Sequence, residues 1–173
     1  VLLTLFRAFF DVCRLRKGPQ DLPASPELLS LSLLAYAAAV ALLTMLSKPP
    51  AVAVGASLME TALLAGINFV LLALRGFDGR WVQTTTAMAG TGVLFTLFAM
   101  PLFAGMSGDG TGAGAVPALL YAALLLLVVW NVAVTAHILR HALTVPFPAA
   151  IVIAAAYAWV VAAAVAGMFP EPA

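Results

Sequence analysis

The sequence predicts an all-α, polytopic membrane protein, a five-transmembrane-helix bundle preceded by an N-terminal amphipathic interfacial helix. Three observations predict it. Of 173 residues, 64% are hydrophobic and only 9% charged, with a mean hydropathy of +1.11, whereas an average soluble domain carries about a quarter charged residues. Five apolar runs reach the roughly 20 residues that cross about 30 Å of hydrocarbon. The few charges fall mainly in the breaks between those runs. A single membrane domain, residues 1–173, accounts for the chain. A disordered tail, a collagen-like fibre and a disulfide framework are excluded, the last because Cys13 is the single cysteine.

Residues 1–17 read as the interfacial helix. Arg7, Asp11 and Arg14 fall at i, i+4 and i+7 and form one polar stripe, while Leu2, Leu3, Leu5, Phe6, Phe9, Phe10, Val12 and Cys13 supply a broad face toward lipid or protein. Arg16 and Lys17 stand at its C-terminal end, where the helix dipole favours cations. A signal peptide fits less well, because the basic residues follow the apolar run.

The first span, 26–47, opens on Ser25 as N-cap with Pro26 and Glu27 in the first turn, and stops at Lys48, Pro49 and Pro50. The second, 51–74, ends at the polar stretch from Arg75 to Arg80. The third, 81–106, begins with Trp81 at an interface and bends at Pro101 before a glycine-rich loop, Ser107 to Ala115, containing Asp109. The fourth, 116–141, is separated from the fifth, 147–168, by Pro146 and Pro148.

Five crossings place Arg7, Arg14, Arg16, Lys17, Arg75, Arg80 and Arg140 on one side and leave Lys48, with Asp109 and Glu171, on the other. By the positive-inside rule the N-terminus is cytoplasmic and the C-terminus external or periplasmic. The Ala-, Gly- and Leu-rich composition suggests a bacterial genome rich in G and C, and the expected location is the bacterial inner membrane. A net charge of +1 leaves no basic surface for nucleic acid.

Helices in lipid associate through small residues. Ala150, Ala154, Ala158, Ala162 and Ala166 recur every four residues and predict a packing ridge on the fifth span. Ala87, Gly90, Thr91 and Gly92 predict another on the third, while Leu124 to Trp130 read as lipid-facing or as knobs against such ridges.

Glu60 is the acidic residue set well inside a span, about nine residues or ~13 Å from its external end. A buried intramembrane carboxylate needs neutralisation or a partner, and it suggests a proton or ion path. Ser57, Thr61 and Asn68 extend a polar stripe along the same helix, and Thr96 and Trp159 fall at matching depth as hydrogen-bond donors. The competing reading is a protonated Glu60 that locks helices together. Asn68, Asn131, Thr135 and Ser32 predict an interhelical polar cluster toward the cytoplasmic half.

His137 and His141 have the i, i+4 spacing of helical zinc ligands, but the accompanying glutamate is missing. Two histidines one turn apart also cannot reach opposite faces of a haem. They read as interfacial residues near Arg140, and no metal or cofactor is expected. Cys13 reads as packing. Gly108, Gly110, Gly112 and Gly114 follow no strand and precede no Lys-Ser/Thr, so they make no phosphate loop.

The stretch Phe9-Phe10-Asp11-Val12-Cys13-Arg14-Leu15-Arg16-Lys17, continuing Gly18-Pro19-Gln20-Asp21-Leu22-Pro23 into the first span, resembles in architecture the bacterial members of the Yip1 family. That resemblance implies a membrane-embedded scaffold or trafficking-type protein and carries no catalytic residues. The loops leave no room for an aqueous catalytic domain, so the expectation is a non-enzymatic scaffold, assembly factor or accessory subunit. Its partners would be the lipid bilayer and either another membrane protein or further copies of itself. The alternative is a small transporter or proton-coupled channel that uses Glu60.

Overall fold

A computed structural model describes residues 2–106 and 115–169. The expected glycine-rich loop over 107–114, with Asp109, and the C-terminal Glu171 lie outside the described residues. The described chain is α-helical: α1 Leu2–Cys13, α2 Pro26–Thr44, α3 Pro50–Leu74, α4 Trp81–Met106, α5 Ala115–Leu143 and α6 Phe147–Met168. Two single 3-10 turns, Pro19–Asp21 and Asp78–Arg80, join α1 to α2 and α3 to α4. The five helices α2 to α6 are long and apolar enough to cross a membrane.

Local chemistry explains where the helices start and stop. Ser25 Oγ accepts from the Leu28 amide at 3.1 Å and Pro26 opens α2, satisfying one amide that the helix itself leaves unpaired. α2 ends at Thr44, three residues before the expected Ser47. The chain there tightens into i to i−3 bonds, Leu46 to Leu43 and Ser47 to Thr44, because Pro49 disfavours helical geometry in the residue before it.

α3 ends in a Schellman turn: Gly76 takes φ +70°, and the Phe77 amide reaches back to the Leu72 carbonyl at 2.8 Å. α1 and α5 end in the same manner but on non-glycine residues, Leu15 (φ 59°) and Thr144 (φ 53°). Neither stop carries the glycine signal. α1 is therefore shorter than expected, ending at Cys13, and α5 runs two residues past His141.

α4 is the central helix and packs against α1, α2, α3 and α5. Thr84 through Thr91 are buried without interruption, so this stretch is enclosed on all sides. Small side chains permit it, as the expected small-residue face implied. Phe9 of α1 lies against Gly90, where any Cβ would collide with its ring. Pro101 is accommodated inside the helix.

α1 does not lie at the edge of the bundle, as expected of an interfacial helix: Leu5, Phe6 and Phe9 line a groove with Gly90, Val93, Leu94 and Leu97 in the middle of α4, so its apolar face turns toward protein. Val12 and Cys13 are buried, Arg7 and Arg14 are exposed, and Trp130 Nε1 of α5 donates to the Cys13 carbonyl at 2.9 Å. Asp11 pairs with Lys17 at 3.4 Å. Trp81 donates from Nε1 to the Ala65 carbonyl at 2.9 Å.

The ends of the helices define two poles. At one, Arg80 donates to the carbonyls of Ala142 (3.0 Å) and His141 (3.4 Å), and Arg75 donates to that of Leu143 (3.3 Å). The α3–α4 turn thus neutralises the negative end of the α5 dipole. The N-terminal segment joins this pole through Gln83 Nε2 to the Leu22 carbonyl, 2.7 Å. At the other pole, Lys48 Nζ donates to the Phe169 carbonyl at 2.8 Å, tying the α2–α3 turn to the end of α6.

The alanine ridge of α6 is used only in part. Ala150 and Ala154 are buried, while Ala158, Ala162 and Ala166 are largely exposed and Val161 is buried in their place. At about 100° per residue, a repeat of four drifts about 40° per step. Over four steps the row winds about 160° around the helix and leaves a straight neighbour behind.

Candidate functional site

Glu60 projects from the middle of α3 and is half-buried. Tyr36 of α2, almost fully buried, donates its hydroxyl to Glu60 Oε1 at 2.5 Å. The approach depends on Gly92 of α4: a Cβ there would lie 2.6 Å from the Tyr36 ring, so the missing side chain lets the ring come close to the α4 backbone. Tyr157 of α6 is close enough to interact electrostatically with the same carboxyl group. Among the described residues, no basic side chain pairs with Glu60.

Beside this pair lies an open-sided cavity of about 390 Å³ to which all five long helices contribute, α6 through Ala158. Its polar groups are Tyr36, Glu60, Thr96 and Asn131, and the rest of its wall is aliphatic or aromatic, including Phe95, Phe103 and Leu127. Leu43, Phe103 and Leu124 carry it toward the pole opposite Arg75 and Arg80. Volume and composition match small-molecule sites, which occupy roughly 300–1,000 Å³ and are mostly apolar with a few placed polar groups.

The structure thus brings Glu60, Thr96 and Asn131 to one cavity, with Ala158 of the alanine row, and leaves the other expected polar residues out of its lining. Ser57 and Thr61 turn their hydroxyls back onto their own helix, to the Val54 carbonyl (2.9 Å) and the Ser57 carbonyl (2.7 Å). Their protons are committed there. Asn68 is fully buried, and neither amide atom has a hydrogen-bond partner, so it makes no bond to Asn131, Thr135 or Ser32. The expected cluster does not form; Ser32 instead lines a groove between α1, α2 and α4. Trp159 is 72% exposed and is no donor to this site. It sits about 140° around α6 from the buried Ala154, so matching depth was not matching direction.

Sequence reasoning missed Tyr36, Glu60's hydrogen-bond donor. The signal was a tyrosine inside an apolar helix, whose hydroxyl needs a partner when buried. Nothing in the sequence said that α2 would bring it to α3.

His137 and His141 stack edge to face with ring centroids 4.7 Å apart, and His137 Nε2 lies 3.1 Å from the Lys17 carbonyl. That carbonyl fixes the Nε2–H tautomer of a neutral ring. Among the described residues no group of three or more His, Cys, Asp or Glu is placed to hold a metal. No known family, curated protein or solved structure matches the chain.

Proposed function

We propose that the chain is a multi-pass protein of the bacterial inner membrane, with its arginine-rich pole cytoplasmic, that binds and moves a proton or small solute through the Glu60 cavity. The observation that supports this reading is the cavity itself: a largely apolar, open-sided cleft shared by all five long helices, reaching an acidic residue that has no basic partner among the described residues. A carboxyl group whose sole task was to lock helices would need no such cleft. An acid so placed is stable either protonated or paired with a cation, and exchange between the two is open to it. Such exchange is the elementary step of coupled transport.

The test is reconstitution of the purified chain in vesicles containing a pH-sensitive dye. A proton gradient should decay faster than in empty vesicles, and Glu60→Gln should return the decay to the empty rate with folding unchanged. Equal decay with wild type and Glu60→Gln would refute the reading.

A non-enzymatic scaffold or accessory subunit is the second reading. It is favoured by the first half of α5, where Leu119, Leu125, Leu126 and Val129 all face outward. A stoichiometric membrane partner that loses its hold when these leucines become alanine would establish it. The likeness to bacterial Yip1 proteins accords with this second reading, in architecture alone.

A further inference from the structure

We propose that the ligand of the Glu60 cavity is a compact lipophilic cation, an alkyl- or arylammonium ion, whose charged centre pairs with the Glu60 carboxylate while its apolar body lies against Phe95 and Leu127. The inference rests on the reading of the cavity as a binding site and names what it would take. Four properties of the wall select this class. The wall holds one acidic group and no basic residue, so an anion would find no counter-charge to offset its desolvation. Its polar side chains are few and set among aliphatic and aromatic ones. A sugar or other polyhydroxyl ligand would therefore lose most of its hydrogen bonds on entry.

A bare metal ion needs four to eight ligands, commonly oxygen, and among the described residues no group of three or more acidic, His or Cys side chains converges anywhere. A neutral lipophile would fill the space but make no use of Glu60, which would keep its proton. An organic cation answers both the charge and the apolar wall. The rings of Tyr36, Phe95 and Phe103 border the cavity, and aromatic faces attract alkylammonium groups when water is excluded.

Cation and proton compete for one carboxyl group. When the cation enters, the proton on Glu60 leaves to solvent, so one charge replaces one charge at the site and one proton is released per cation bound.

The experiment uses the full chain in detergent and two probes of the same shape, benzyltrimethylammonium and its neutral carbon isostere neopentylbenzene. Titration calorimetry should show the cation binding with release of a proton, and at least about tenfold weaker binding to Glu60→Gln, since a single unpaired charge is worth more than that factor in a dry site. In the unmodified chain, the cation and not the isostere should protect Glu60 from a hydrophobic carbodiimide, read by mass spectrometry of the Glu60 peptide. If Glu60→Gln fails to fold, this protection decides alone. Equal binding to the variant, or equal protection by the isostere, would overturn the proposal. Cation binding without vesicle flux would support the ligand class and sink the transport reading; flux without cation binding would do the reverse.

Discussion

At the scale of single residues, the geometry of the site turns on an absence. Gly92 has no side chain, Tyr36 occupies the space a Cβ would take, and the Tyr36 hydroxyl thereby reaches Glu60. Tyr36→Phe should cost about 0.6–2 kcal/mol in the parent, the usual range for a side-chain hydrogen bond in a membrane. In a Gly92→Ala background that cost should fall toward zero, because the displaced ring has already lost its bond. Unfolding of the four proteins in a double-mutant cycle measures this, and equal costs in both backgrounds would show that Gly92 does not position the ring.

Cys13 offers a second residue-scale test. Burial pushes its thiol up to about 12, against about 8.5 for an exposed cysteine. A raised pKa stabilises the folded state below the unfolded value, and that contribution is lost as pH climbs from about 8.5 toward about 12. The stability advantage of the parent over Cys13→Ala should therefore hold at pH 7 and shrink at pH 10.5. Maleimide labelling at pH 7.5 should be slow until the protein is unfolded.

At the scale of elements, most helices could be read from the sequence. Pro26, Leu74, Trp81, Met106, Phe147 and Met168 stand where expected because prolines and polar breaks act locally. The ends at Leu15 and Thr144 could not be read, since tertiary contacts impose a left-handed turn on residues that resist it. The alanine ridge shows the same division. Its small residues were visible, yet which of them touch another helix depends on helix phase and on how far a neighbour follows the row. Ala154→Leu should destabilise by about 1–3 kcal/mol through overpacking, while Ala162→Leu should be near neutral. Thermal unfolding in one detergent separates the two, and equal effects would mean that the ridge is engaged along its whole length.

At the scale of the whole molecule, Arg75 and Arg80 bind one pole together. Arg75 and Arg80 cap the end of α5, and the N-terminal segment is held to the same pole through Leu22 and Lys17. Five alternating helices then carry the Phe169 end to the opposite pole, where Lys48 meets it. Reporters fused to the two ends should accordingly show opposite sides of the membrane, with the N-terminal one cytoplasmic. Both reporters on one side would remove a crossing and with it the five-helix cavity.

What the sequence by itself determined is one-dimensional: a membrane-class composition, five apolar runs, their punctuation, the side on which basic residues fall and the isolation of Glu60 within a span. These follow from transfer energetics and local backbone preferences, which act over a few residues. The tertiary structure alone decided that Tyr36 meets Glu60, that Thr96 and Asn131 share its cavity, that Trp159 faces away and that Asn68 is enclosed without a partner. Depth along a helix is proportional to residue number, and so can be counted. Rotation about the helix axis relative to neighbours is set by how small and large side chains interlock, and no count along the chain contains it.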